Sequence, residues 1–509
     1  MPILSAVPVS SFAILWAADT PAEQSAKVAA ALACIRDSAA QACARWPHVY
    51  GSRPRLRILR SAASGQAAGL TAAAQKYDCA VGTIDATSEI LARHCDLVVV
   101  AQQQDLSFAG LTPALILPRA VDGDLAFSVG RAHPLTPERR HENDVLPSAA
   151  PEAIATAFAP PSDPTEAQNL TEFLGEQDGA PVGRRAYDLL LWLIGQRTDP
   201  LRAPDVSWDH AFSIAEQARP SARASIDTIH AAYVRADALA LAYGERWRST
   251  LVSRSMLLLT MNALSGLIGA LAPAAALVTI PIQILVTGAI FYQSRVARGR
   301  RWRQKWLDYR RLAESLRVQR FLVLCGAVPI PPDELDWVAW MVQRVARAAS
   351  PAEPLPESAA PAVLSHLLKV EIAEQIAYHD SASLRFRRLD RSFRRAALAM
   401  LFLFVALGVV FAALAFSTRF SYKFGLSSAI GLALTAAPTL YALLNGVRRD
   451  LDVVRQAERS DFLAAKLKNL AKAIAEMSPT AAIAQAAAVR AAHIMRDDVA
   501  RWRIVVEVL

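Results

Sequence analysis

The chain has 509 residues, 53% hydrophobic and 20% charged, a balance that excludes an intrinsically disordered protein and leaves length for two or three domains. The formal net charge of +9 is uneven: residues 1–180 hold 13 basic and 19 acidic residues, a net −6, which leaves +15 for the remainder. Cys34, Cys43, Cys79, Cys95 and Cys325 form no CxxC pair and have no histidine at metal-ligand spacing, which argues against a disulfide scaffold and a structural zinc site.

Phe12 to Trp16 is apolar, but no Lys or Arg precedes it and the run is short, so it reads as a first β-strand, not a secretory leader. Residues 21–46 have the pattern of an amphipathic helix. Further strands are predicted at 56–59, 78–84, 96–101 and 114–117, with helices at about 67–77 and 88–94 between them. Strands that alternate with helices predict a doubly wound, Rossmann-like α/β domain over 1–130. Ligands of such sheets sit at the carboxyl ends of the strands. The turn Ser61-Ala-Ala-Ser64-Gly65-Gln66 follows the second strand. Its small residues let backbone N–H groups approach a phosphate, although a tight connection alone uses the same residues. Ser61, Ser64, Gly65 and Gln66 are therefore the ligand-binding candidates.

Residues 131–182 hold eight prolines among acidic and small residues and read as a linker or a loosely packed excursion. A helix at about 183–196 contains the apolar run Leu189 to Ile194, which calls for burial. Residues 226–250 form a helix with Ala232, Ala236, Leu239 and Tyr243 on one face.

Ser255 to Ser294 contains no Lys, Arg, Asp or Glu. A spanning helix needs about 20 mostly apolar residues. With Ala272-Pro273 at the turn, the stretch predicts two spans, about 255–272 and 274–293. A second pair is predicted at about 396–418 and 424–447, interrupted only by Arg419 and Lys423. Arginines crowd the outer flanks of both pairs, at 295–303, 385–395 and 448–449. The positive-inside rule then places both termini in the cytoplasm. The overall expectation is an α/β Rossmann-like domain followed by an all-α membrane domain, 183–509, with four transmembrane helices in two hairpins and long cytoplasmic helices.

Thr260, Asn262, Ser265, Gln283 and Thr287 are polar but uncharged residues within the first hairpin. Such residues either hydrogen-bond between helices or line a water-filled path, and these five are the pore-lining candidates. The helix that leaves the hairpin places Trp302, Trp306, Tyr309, Ala313 and Leu316 in one stripe. Arg310, Arg311 and Arg317 lie four before, three before and three after Glu314, a spacing that allows ion pairs. Trp302, Trp306, Tyr309, Arg310, Glu314 and Arg317 are thus candidates for helix or subunit coupling. An amphipathic helix is predicted at 333–349, then a Pro-rich link, a long helix at 361–395, a charged helix at 448–477, a last helix at 479–498 and a strand or tail at 502–509. The second half repeats the plan of the first as architecture, not residue by residue.

Trp306-Leu-Asp-Tyr309-Arg310-Arg-Leu-Ala-Glu314-Ser-Leu-Arg317 resembles the signature of the SLATT membrane module of prokaryotic conflict systems, which follows a two-span hairpin. Ala231-Ala-Tyr-Val-Arg235-Ala-Asp237 is similar to the helix that leads into that hairpin. Ala373-Glu374-Gln-Ile-Ala-Tyr378-His379 is similar to a downstream Q-x-x-Y-H element. In some relatives the module follows a Rossmann-like SLOG sensor, of which residues 10–120 look like a degraded version. Ala67 stands where that family has an acidic residue, and Gln102-Gln103-Gln104-Asp105 stands where it often has W-D-G. The resemblance implies a homo-oligomeric effector, a tetramer being one arrangement, that forms a ligand-gated ion channel or pore in antiviral defence by abortive infection. Its implied partners are the lipid bilayer, a nucleotide second messenger or short oligonucleotide, and a co-encoded nucleotidyltransferase. It implies no enzyme activity, no catalytic residue, no metal and no cofactor. A non-conducting membrane scaffold is the alternative. A membrane-tethered nucleotide-processing enzyme would need Asp19, Asp85 or Asp105 at the strand ends.

Overall fold

The computed structural model describes residues 11–16, 25–50, 55–61, 70, 74–75, 80–84, 97–100, 114–121, 124–132, 140–145, 158–176, 185–193, 208–218, 220–270, 276–327, 336–349, 355–415 and 424–508. Seven strands form one sheet: β1 (Ser11–Trp16), β2 (Arg55–Ser61), β3 (Ala80–Ile84), β4 (Leu97–Val100), β5 (Ala114–Val121), β6 (Asp124–Ala132) and β7 (Arg140–Val145). Their order is β3-β2-β1-β4-β5-β6-β7. The first five run parallel, with Ile14 opposite Ile58 and Leu97. β6 and β7 are antiparallel additions at one edge. Among the described residues this part holds the helices α1 (Ser25–Arg45) and α2 (Pro47–Tyr50). Ile14, Trp16, Ile58, Leu97 and Val99 are buried in the sheet, and Val28, Leu32 and Ile35 are buried on α1.

Helices dominate the rest. They are α3 (Pro164–Gly175), α4 (Arg185–Leu193), α5 (Trp208–Ala218), α6 (Pro220–Ala270), α7 (Ala276–Gly299), α8 (Trp302–Leu324) and α9 (Trp337–Ala349). Next come α10 (Ala360–His366), a π-helical turn (Leu367–Ile372), α11 (Ala373–Ala415), α12 (Phe424–Asp450), α13 (Val453–Ala475) and α14 (Ala481–Val508). The main layer pairs α6 with α8, and α11 with α12 and α13. α12 also lies along α6 and joins the two halves. α9 meets β1 and α3, and α2 meets α3, so sheet and helices share one core.

Two helix-to-helix breaks have the same form. Arg301, between α7 and α8, has φ 48°, and Asp452, between α12 and α13, also has φ 48°. Each leads into a helix of 23 residues, α8 and α13. A left-handed residue with a side chain costs about 1–2 kcal/mol, so both positions are held by something else in the fold. α8 itself ends in a Schellman motif: Ala327 N donates to Leu322 O at 2.9 Å, Gly326 N donates to Val323 O at 3.0 Å, and Gly326 has φ 67°.

The expected fold class is corrected. The described residues are mostly helical and do not build a doubly wound Rossmann-like domain followed by four spanning helices. The sheet is mixed, because β5 turns back into β6. In the sequence Asp122-Gly123, a dipeptide that favours a two-residue turn, stands between the two strands. Among the described residues a single helix, Ala360–Val410, is long and apolar enough to cross a membrane. Burial against protein excludes charge too, and it covers the ends of the predicted runs, whereas Ile284 and Leu285 of α7 are exposed. Val252 of α6 and Leu444 and Val447 of α12 pack with Leu389, Phe393 and Ala397 of α11 in a protein core. A charge-free run is therefore not by itself a lipid-facing one.

Smaller differences follow from packing. Within the Pro-rich stretch, α3 docks through Asn169, Leu170 and Phe173. In α4 only Leu190 and Leu191 are buried, while Leu189, Trp192 and Leu193 are exposed. α14 continues as helix to Val508, where a strand or tail is expected.

Candidate functional site

Three segments far apart in sequence meet in one buried polar layer. α6 supplies His230, Tyr233 and Asp237, α8 supplies Arg310, Glu314, Arg317 and Arg320, and the π turn with α11 supplies Glu371, Tyr378 and His379. On α8, steps of four and three residues put Arg310, Glu314 and Arg317 on one face. Glu314 accepts from Arg310 at 3.3 Å and from Arg317 at 3.0 Å. Arg317 also donates to Tyr233 Oη at 2.8 Å and lies over its ring, 5.4 Å from the centroid. Arg310 reaches across to hydrogen-bond Tyr378.

One turn further on, Arg320 is 1% exposed. Its Nη2 donates to Glu371 at 3.3 Å, its Nη1 lies 3.0 Å from His230 Nδ1, and its guanidinium stacks on Tyr233 at 4.7 Å. Glu371 lies in the π turn. A π turn spaces its hydrogen bonds wider than an α-helix and re-aims the side chains it carries, and such turns recur at functional sites. Here Glu371 is directed inward onto Arg320.

Burial works against ionisation of Glu314, but the Arg317 and Arg310 guanidiniums, with His379 and Arg459, outweigh it and hold the carboxyl below the usual range. The Arg310 charge beside Tyr378 lowers its phenol against the opposing effect of burial. The charge pairs between α11 and α13 differ in kind: Lys468 and Asp380, 2.8 Å apart, are 53% and 44% exposed. Exposed pairs contribute about 0–1 kcal/mol, so the α6–α8–α11 layer is the one that fixes geometry.

A second cluster clamps α3 at the α7–α8 break. Glu176 Oε1 accepts from Tyr243 Oη at 2.6 Å, from Lys305 Nζ at 2.6 Å and from Tyr309 Oη at 3.4 Å. Glu172 accepts from Arg301 at 2.9 Å and pairs with Lys305 at 3.2 Å, while Asn169 Oδ1 accepts from Arg301 at 2.6 Å. Arg235 Nη2 donates to the carbonyls of Phe173, Leu174 and Glu176 at 3.0, 3.1 and 2.9 Å. Those are carbonyls at the end of α3, of which Phe173 O also accepts from Glu176 N at 3.3 Å, and a cation there complements the helix dipole. Burial and the Glu176 carboxylate together push the Tyr309 phenol far above its ordinary range.

The structure gathers the coupling candidates. Tyr309 is fully buried and Trp302 and Trp306 are half-buried against the same core. Arg311 departs from expectation, because it pairs with Asp336 ahead of α9 instead of Glu314. Of the pore-lining candidates, Thr260 Oγ1 donates to Met256 O at 3.0 Å and Thr287 Oγ1 donates to Gln283 O at 2.8 Å, both within their own helices. Asn262 and Ser265 lie on α6, but their side chains are outside the described residues. Ser61 ends β2, whereas Ser64, Gly65 and Gln66 lie outside the described residues, as do Asp19, Asp85 and Asp105.

Arg320, Glu371 and the α3 clamp are not singled out by the sequence reading. One signal was available: Asp163-Pro164-Thr-Glu166 has the N-cap and first-turn pattern of a helix start, and Asp163 Oδ2 does accept from Glu166 N at 3.3 Å. Among the described residues no group of three or more His, Cys, Asp or Glu is placed to hold a metal ion. The geometry suits mechanical coupling: buried charges that fix the relative positions of three helices. Comparison of the chain with protein-family models, with curated proteins and with solved structures gives no match.

Proposed function

We propose that this protein is a membrane-inserted, homo-oligomeric effector that conducts ions under control of a nucleotide or oligonucleotide, in the manner the SLATT resemblance implies. The observation that carries this reading is the continuity of α11. One unbroken helix bears Tyr378 and His379 in the charge layer and, further along, an uncharged run from Ala396. Phe402, Val405, Val409 and Val410 of that run are 71%, 53%, 65% and 47% exposed. The most apolar stretch of the helix has mean hydropathy 2.0 and is 11% buried, unlike a soluble core helix. Exposed apolar surface of this extent requires a lipid or protein cover. A shift in the charge layer moves the membrane end of the same rigid helix. One chain offers too few helices to enclose a path, so conduction requires several copies.

The test is ion flux from liposomes that contain the purified full chain, with cyclic nucleotides and short oligonucleotides added in turn. Flux that depends on one of them supports the reading. An inserted, oligomeric protein that stays silent under every condition overturns conduction. It would favour a second reading, a non-conducting membrane-anchored scaffold. That reading draws on Thr260 and Thr287, whose hydroxyls bond their own helix backbone instead of an open path.

A further inference from the structure

A cavity of about 440 Å³ opens beside the α7–α8 break, lined by Trp247 of α6, Arg298 of α7, Arg301 at the break, and Arg303, Gln304 and Asp308 of α8. Its volume is that of a small-ligand site. The lining carries three arginines and one carboxylate, that of Asp308. Arg301 is already held by Glu172 and Asn169. Its left-handed backbone turns the chain so that Arg298, ahead of the break, and Arg303, after it, line one space. The Arg303 guanidinium lies 5.9 Å from the Trp247 ring centroid. The first amides of α8 start here, and Arg301 provides no side-chain cap for them. Unpaired helix-start amides together with arginine forks are a setting for a phosphate oxygen.

The position matters as much as the charge. On α7, Ile284, Leu285, Phe291 and Tyr292 are strongly exposed. Arg298 lies six residues beyond Tyr292, about 9 Å along the helix. Exposed apolar surface this near the arginines calls for a lipid or protein cover. We propose that this cavity binds the phosphate of an anionic phospholipid or of a soluble phosphate ester, through Arg298, Arg303 and the start of α8. Only the lipid source rests on the membrane-inserted reading, and neither source requires conduction, so the binding test and the flux test fail separately.

The test is calorimetric titration of the delipidated full chain in neutral detergent with short-chain phosphatidylglycerol, short-chain phosphatidylcholine and inorganic phosphate. Saturable binding of phosphatidylglycerol over phosphatidylcholine is expected, reduced at least tenfold by R298Q/R303Q. Gln304→Glu, which keeps the arginines and adds a negative charge at the cavity, should weaken binding as well. R387Q/R394Q, which removes two exposed α11 charges, should leave it unchanged. Displacement of the lipid by inorganic phosphate would identify a free phosphate as sufficient, and failure to displace would identify the lipid headgroup. Absence of saturable binding for both anions, or an equal loss in R387Q/R394Q, overturns the site.

Discussion

Arg320 and Glu371, 51 positions apart in the chain, form an ion pair of 3.3 Å in which the two side chains are 1% and 4% exposed. Each is nearly cut off from water, so each needs the other. Replacing one partner of such a pair leaves an uncompensated buried charge and costs about 3–5 kcal/mol, whereas replacing both with apolar residues is close to neutral. Glu371→Gln should therefore destabilise strongly, and R320M/E371M should recover most of the loss. Urea denaturation in detergent checks this. Equal loss in the single and double variants would show that the pair is not the source.

The charge layer also sets a pH dependence. The Glu314 carboxyl is held below its ordinary value near 4.5 in the folded chain. A depressed carboxylate contributes stability that is complete above the unfolded value and is lost as pH falls through the folded one. Below pH about 4.5 the wild type should lose stability with falling pH, with a shallower slope in Glu314→Gln. Parallel slopes between pH 5 and pH 3 would remove Glu314 from the account.

Gly244 lies against Trp306 so closely that an added Cβ would stand 2.8 Å from the indole Nε1 and 2.9 Å from Cδ1. Overpacking of this kind costs about 1–3 kcal/mol, while alanine gains about 1 kcal/mol over glycine inside a helix. Gly244→Ala should lower Tm by a few degrees, and Trp306→Leu in that background should restore it. A rise in Tm for Gly244→Ala alone would show that Trp306 yields freely.

Arg235 caps the end of α3 with three hydrogen bonds to carbonyl oxygens. Arg235→Met keeps the bulk and removes the donors, at a cost of about 1–3 kcal/mol for the carbonyls left bare. Hydrogen exchange of residues 164–176 should rise tenfold or more while that of α8 stays unchanged. Uniform acceleration across both helices would mean that Arg235 supports the whole core and not α3 in particular.

Cys34 tests burial in a different way. Desolvation is the main cause that raises its thiol to about 11, partly offset by the Ser38 hydroxyl beside it. At pH 8 iodoacetamide should modify Cys34 only after unfolding, with native reactivity appearing as pH approaches 11. Rapid labelling at pH 8 in the native state would contradict the buried placement.

Much of α8 was legible because helical periodicity is a local property. The steps from Trp302 to Leu316 mark the buried stripe, and the spacing of Arg310, Glu314 and Arg317 gives the ion pairs that form. The antiparallel pairing of β5 with β6 is legible through Asp122-Gly123, and α3 is legible through its cap, although the surrounding prolines hide it. The membrane expectation went too far for a physical reason. Absence of charge is a property of composition alone: Leu444 and Val447 of α12 are covered by protein, whereas Ile284 and Leu285 of α7 are exposed.

By itself the sequence determined what depends on neighbours along the chain: the helical stripes, the capping residues, the clustered arginines and the length of the charge-free runs. Only the tertiary structure decided what depends on meeting at a distance. It placed Glu371 on Arg320 through a π turn, Arg235 on the end of α3, and Glu172 and Asn169 on a left-handed Arg301. Those contacts come from helix packing, which brings together residues tens to more than a hundred positions apart, and no local pattern in a single sequence encodes the partner of a buried charge.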